Sequence, residues 1–228
     1  GSSSAFTVSL LHALHGLKGV MISKHELAKK AIHIEQNILR ENVGSQDQVA
    51  TALGGFNKIK FASDGRFDIH PITIKSERLQ EFKKHLMLVF TGFSRNASEI
   101  AGEQIKKTPQ KAEELTKMHK MVDQAIDILD SQKDITDFGK LLHESWLLKR
   151  SLTERVSTPK IDQIYETARG AGAIGGKLLG AGGGGFMIFF VKPENRGSIK
   201  RSLTEFLEVP FDFEDLGSQI IFYSPNKI

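Results

Sequence analysis

Apolar positions recur at helical spacing over Ser4 to Leu17 (Phe6, Val8, Leu10, Leu11, Leu14 and Leu17), behind serines that can cap a helix. The period repeats from Ser23 to Glu41 through Leu27, Ala31, Ile34 and Ile38, and opens on a Ser23-x-x-Glu26 capping box. Gly44-Ser45-Gln46-Asp47-Gln48 reads as a loop entering a short helix that stops at Gly54-Gly55. Phe56 to Phe61 alternates as a strand, Asp64-Gly65 signals a turn, and Arg66 to Ile72 reads as the returning strand of a hairpin. Beyond Pro71 the pattern changes. His85 to Phe90 reads as a buried strand, followed by helical segments at about 109–130, 134–150 and 159–170. Phe186 to Val191 is a continuous apolar strand, Gly197 to Leu207 an amphipathic helix, and Ile220 to Tyr223 a closing strand. Strands and helices outside strict alternation indicate an α+β fold. A boundary near residue 75 gives domains at 1–75 and 76–228.

The chain of 228 residues is 39% hydrophobic and 25% charged, so it can bury a core. It has no cysteine, which excludes disulfides and leaves oxygen or imidazole as metal ligands. A reducing cytoplasm fits. The net charge is +4, but the basic pairs Lys29-Lys30, Lys83-Lys84 and Lys106-Lys107 sit in patterns that read as solvated helix faces. No nucleic-acid partner is expected. No apolar run approaches the ~20 residues of a membrane span, and the first residues lack the basic start and cleavage site of a signal peptide.

Four places carry chemistry. Gly1-Ser2-Ser3-Ser4 opens a helix, whose free N–H groups and dipole suit phosphate; on these residues alone a cap behind a cloning remnant is the better reading. Asp47 follows Glu35 by 12 residues, and such a pair can hold Mg2+ and orient a hydroxyl, or simply cap a helix and meet solvent. Residues 170–185 hold nine glycines in 16 positions, ending in Gly180-Ala181-Gly182-Gly183-Gly184-Gly185. That is more than a turn needs, and it suits close approach of a ligand or another backbone. It is neither a Walker loop nor a dinucleotide fingerprint, because the glycines precede a strand. Thr91-Gly92-Phe93-Ser94-Arg95, Lys149-Arg150 and Lys177 could reach a substrate or its phosphate, though surface charge is the ordinary role of each.

Together these strings resemble the galactokinase–homoserine kinase–mevalonate kinase–phosphomevalonate kinase (GHMP) class. Gly1-Ser2-Ser3-Ser4-Ala5 is similar to its serine-rich second motif, and Ala5-Phe6-Thr7-Val8 continues the motif helix. Lys177 to Phe186 is similar to its glycine-rich third motif, and Gly44 to Gln48 to its aspartate loop. Within the class, Val43 to Gln48, Leu53 to Asn57, Thr91 to Ser98 and Lys177 to Phe186 look most like the heptose-7-phosphate kinases.

The resemblance implies two domains: an incomplete part similar to ribosomal protein S5 domain 2, and a ferredoxin-like C-terminal domain, with ATP and Mg2+ in a cleft between them. Ser3 would contact Mg2+ and the nucleotide phosphates, with Gly1, Ser2 and Ser4 in the same loop. Glu35 would bind Mg2+, and Asp47 would be the base facing the acceptor hydroxyl. Gly180, Gly182 and Gly183 would shape the nucleotide site beside the phosphate loop. Gly44, Thr91, Lys149 and Lys177 are candidate substrate contacts. The implied reaction is ATP-dependent phosphorylation of the anomeric hydroxyl of a heptose 7-phosphate, a small sugar phosphate; a free-sugar kinase and a non-catalytic sugar sensor are the alternatives. A cytoplasmic enzyme is expected, with a homodimer left open. The family carries a longer stretch before the serine loop, so a functional protein longer by roughly one hundred residues is expected.

Overall fold

The computed structural model describes residues 1–93 and 97–224. Helices α1 (Ser2–Leu17), α2 (Lys24–His33) and α3 (Gln46–Leu53) come first, with a π-helical turn, Ile34–Ile38, running on from α2. Strands β1 (Asn57–Phe61) and β2 (Phe67–Pro71) then form an antiparallel hairpin in which Ile59 faces Ile69. Ser23 caps α2 as expected, its hydroxyl accepting the Glu26 N–H. Val8, Leu27, Ala28, Ala31, Val49, Ala52 and Phe67 make the core of this first unit. Only one face of α1 is used. Val8 is fully buried, whereas Phe6 is 68% and Leu17 60% exposed.

The second unit runs from Thr73 to Asp212. Helix α4 (Ser76–His85) leads into β3 (Leu86–Phe90). Then come α5 (Ala97–Lys107), α6 (Ala112–Asp130), α7 (Thr136–Arg150), α8 (Pro159–Gly170), β4 (Ala173–Leu178), β5 (Phe186–Val191), α9 (Arg196–Ser202) and β6 (Leu207–Glu208). The sheet order is β4-β5-β3-β6 with all neighbours antiparallel. β3 and β4 therefore run the same way with β5 inserted between them, the split arrangement of ferredoxin-like folds. One face of the sheet packs Met87, Val89, Met187 and Phe189 with Ile161, Ile164 and Tyr165 of α8. On the other face Phe190 meets Phe82 of α4 and Phe138 of α7, at centroid separations of 6.0 and 5.6 Å.

Four expectations change. His85 ends α4, held by its ring Nδ1 at the Glu81 carbonyl, so the strand starts at Leu86. The helix expected from Gly197 to Leu207 is Arg196–Ser202, and Leu207 goes to the two-residue strand β6. Ile220 to Tyr223 pairs with no strand among the described residues. Nor does the second unit continue to 228. Phe213 and the described residues after it belong with the first unit, where Gly55 donates to the Glu214 carbonyl and Lys24 to that of Leu216.

Helix α7 lies unusually close to β4. A Cβ on Gly175 would sit 2.0 Å from the Gly139 carbonyl oxygen, and one on Gly139 would sit 2.7 Å from Ile174. Gly175→Ala is therefore expected to destabilise the second unit by about 3 kcal/mol, the upper end for overpacking, because the obstacle is backbone. Chemical unfolding measures this, and a loss below about 1 kcal/mol would contradict the close approach.

Candidate active site

In the first unit three elements converge on Glu35. The carboxylate is only 4% exposed and sits in the π-helical turn, a feature that recurs at functional sites. Its Oε2 accepts from Ser4 Oγ of α1 at 2.9 Å and from Gln48 Nε2 of α3 at 2.5 Å. Its Oε1 and the Oε1 of Gln48 are buried with no hydrogen-bond partner among the described residues. Buried oxygens left this way are uncommon and costly, and they mark a place for a donor or a cation. Asp47 stands next to Gln48 in the first turn of α3, with its side chain 43% exposed and Gly1 N 3.3 Å from its Oδ2. A Cβ on Gly1 would lie 3.3 Å from Asp47 Cγ, so that approach is suited to glycine. Gln36 pins the preceding loop by donating to the Val43 carbonyl and to Ser45 Oγ. Gly44 is exposed, with open space where a side chain would be.

The serine nearest Glu35 is not the expected one. Ser3 is exposed, and its carbonyl takes the Thr7 hydroxyl at 3.2 Å. Ser4 is the buried one, one helical turn before Val8 and on the same face of α1. Ser2 is exposed. Gln48, which the sequence did not single out, joins the candidate site through its bond to Glu35. Hard oxygen donors of this kind fit Mg2+, which takes one or two carboxylates and completes its shell with water and substrate phosphate. No group of three or more His, Asp or Glu side chains gathers into a cage among the described residues.

In the second unit the glycine-rich loop joins β4 to β5. Gly180, Gly182, Gly183 and Gly185 have φ of +70°, +134°, +75° and +105°, conformations that favour glycine. A Cβ on Gly182 would come within 2.8 Å of the Val156 backbone. The loop is fastened from behind. Lys149 donates to the carbonyls of Leu178 and Gly180 and Gln104 of α5 to that of Ala181, while Gly183 N–H reaches the Val156 carbonyl. The N–H groups of Gly180, Ala181, Gly182 and Gly184 have no partner among the described residues. Successive free amides of this kind form an anion-binding concavity.

The candidate substrate contacts of this unit turn out to be occupied. Thr91 is fully buried, and its hydroxyl donates to the Gly185 carbonyl at 2.9 Å and accepts the Gly185 N–H at 3.0 Å. It ties the end of β3 to the glycine loop rather than facing a substrate. Lys149 is 8% exposed and spends its ammonium on main-chain carbonyls. Lys177 donates to Ser145 Oγ at 3.0 Å, and burial holds its pKa below the ordinary lysine value. Arg150 pairs with Asp162 and lies over the Trp146 ring. Ser94 and Arg95 lie outside the described residues.

Residues 1–55 match the GHMP kinases N terminal domain and residues 124–209 match GHMP kinases C terminal, more than half of the chain together. The chain is 34% identical over 206 residues to a D-glycero-alpha-D-manno-heptose 7-phosphate kinase of Campylobacter jejuni, covering 89% of this chain and 60% of that one. It is 32% identical to a mevalonate kinase of Pyrococcus horikoshii, covering 82% of this chain and 54% of that one. The crystal structure of a D-glycero-D-manno-heptose 1-phosphate kinase from Bacteriodes thetaiotaomicron superposes with a TM-score of 0.69 at 28% identity, covering 97% of this chain and 63% of that chain. The chain thus spans between about half and two thirds of the length of these relatives. The chain belongs to the GHMP kinase family.

Proposed function

We propose that this chain is the larger part of an ATP-dependent sugar-phosphate kinase whose acceptor is the anomeric hydroxyl of a heptose 7-phosphate. The observation that carries the reading is the Glu35 carboxylate, buried and oriented by Ser4 and Gln48, with one oxygen that has no partner among the described residues, and Asp47 preceding Gln48 in the first turn of α3. Likeness to the Campylobacter jejuni heptose kinase favours this acceptor over a mevalonate-like one.

The geometry supports the following roles. Glu35 would hold Mg2+, which neutralises charge on the nucleotide phosphates when bound. The Ser4 and Gln48 bonds fix which carboxylate oxygen stays free for it. Asp47, partly exposed at a helix start, would accept the proton of the attacking hydroxyl. In the second unit, the free amides of the glycine-rich loop would take nucleotide phosphate oxygens. The protein does little covalent work in such a transfer; positioning and charge supply the rate.

The product tests the acceptor position. Phosphorylation of the anomeric oxygen removes the reducing end, so product formed from heptose 7-phosphate is expected to fail a reducing-sugar assay and to show a C1–O–P coupling by NMR. A doubly phosphorylated product that keeps its reducing end would contradict the anomeric assignment.

A further inference from the structure

Lys149 is a buried cation with no carboxylate partner among the described residues. It projects from the last turn of α7, is 8% exposed, and bonds the carbonyls of Leu178 at 2.9 Å and Gly180 at 2.5 Å. Those two carbonyls flank the place where the chain leaves β4 and Gly180 takes its positive φ of +70°. An ammonium in this position draws both carbonyls inward. With the Ala181 carbonyl turned to Gln104, the loop's next amides are left free of main-chain partners.

The charges on the elements packed around it do not relieve this cation. Lys177 of β4 is its charged neighbour and repels it. Asp162 of α8 is committed to Arg150, and Glu103 of α5 to Arg155 and Lys107. A buried ammonium kept without a counter-ion carries a desolvation cost that a leucine or methionine would avoid. What the ammonium supplies, and an apolar side chain cannot, is the pair of charge-assisted bonds to the loop.

We propose that Lys149 is a positioning residue for nucleotide binding: its ammonium, bonded to Leu178 O and Gly180 O, sets the glycine-rich loop so that its free amides can meet phosphate. The inference rests on the kinase reading and goes beyond it by making nucleotide affinity depend on a group that never touches the nucleotide.

A second property gives the test its edge. Desolvation first, and Lys177 second, bring Lys149 down to about 7 from its ordinary 10.5. Between those values the unfolded chain carries a proton that folded Lys149 lacks. By linkage this group makes folding stability rise with pH across that window, and contributes no slope below about 7, where both states are protonated. The charge on the loop bonds follows the opposite course: the ammonium is present below about 7, and above it a neutral amine is left that can donate only without charge assistance. A merely structural lysine would not weaken nucleotide binding under conditions in which its own contribution to stability grows.

The experiment is equilibrium binding of Mg2+–ATP by calorimetry from pH 6 to 9, for the unmodified protein, Lys149→Met and Lys149→Arg. The unmodified protein is expected to lose about tenfold in affinity across neutrality, the scale of one charge-assisted bond. Lys149→Met is expected to bind about tenfold more weakly at pH 6 and to lack that extra limb. Lys149→Arg should bind tightly throughout, since guanidinium stays charged. Titration of ATP itself is common to all three proteins and cancels in the comparison. Affinity of Lys149→Met within twofold of the unmodified protein at pH 6, or the same limb in all three, would overturn the proposal. Should Lys149→Met not fold, the unmodified and Arg proteins decide, and an equal limb in both overturns it. If the unmodified protein binds no ATP at any pH, the kinase reading falls and this inference with it; binding without any effect of Lys149 removes this inference alone.

Discussion

Asp47→Asn is expected to slow phosphoryl transfer by about 10²–10⁴ while leaving the affinity for Mg2+–ATP near normal. Asn keeps the shape of the side chain and its place in the first turn of α3, so the helix start and the approach of Gly1 persist. What it loses is a carboxylate able to take a proton, the role proposed for Asp47 at the acceptor hydroxyl. The proposed nucleotide contacts come from other groups: the Glu35 site, the serine loop and the glycine loop amides. The loss should therefore appear in kcat and not in nucleotide binding, the signature of an interaction made only in the transition state. Single-turnover rates alongside ATP titrations separate the two, and unchanged turnover would remove Asp47 from the base role.

Glu35→Gln is expected to have a comparable effect by a different route. The amide is isosteric and can still accept from Ser4 and Gln48, so the packing of α1, α2 and α3 is retained. The negative charge is gone, and the proposed Mg2+ site would lose its carboxylate. Disturbing even the partners that orient a metal ligand costs about 10–100-fold in metal affinity or activity, so loss of the carboxylate itself should cost at least about 100-fold in turnover at low Mg2+. Raising Mg2+ should recover part of it. That partial recovery distinguishes this variant from Asp47→Asn, which no amount of Mg2+ should rescue. Equal activity at every Mg2+ concentration would show that Glu35 holds no metal.

Much of this arrangement was legible in the amino-acid pattern. The Ser23 cap, the Asp64-Gly65 turn and the apolar run Phe186 to Val191 are local signals, and each formed the element it predicts. The glycine-rich loop was visible because so many glycines in so few positions serve few purposes other than φ > 0 and close approach, and both are present. The choice among Ser2, Ser3 and Ser4 was not legible. It depends on the rotational phase of α1, and that helix carries apolar residues on nearly every side, so nothing in its pattern singles out the Val8 face. The role of Gln48 was hidden for a related reason: its burial comes from α1 and the π-helical turn packing against α3, not from anything in its own segment.

Thr91 and Lys149 show the other limit. Hydroxyl and ammonium groups near a glycine-rich loop read as hands for a substrate, because polar side chains are usually exposed. Here the loop's own backbone uses them, and only the tertiary packing of α7 and β3 around it reveals that. Ile220 to Tyr223 has strand composition but no strand partner among the described residues, since pairing is a property of the whole fold.

The most direct test of the central claim is ADP release by the protein with Mg2+–ATP across heptose 7-phosphate, mannose 6-phosphate, fucose, galactose and mevalonate. Selective turnover of heptose 7-phosphate is the predicted result. Selective turnover of mevalonate or a free sugar would contradict the acceptor, and ATP binding with no ADP release on any of the five would contradict the kinase assignment itself.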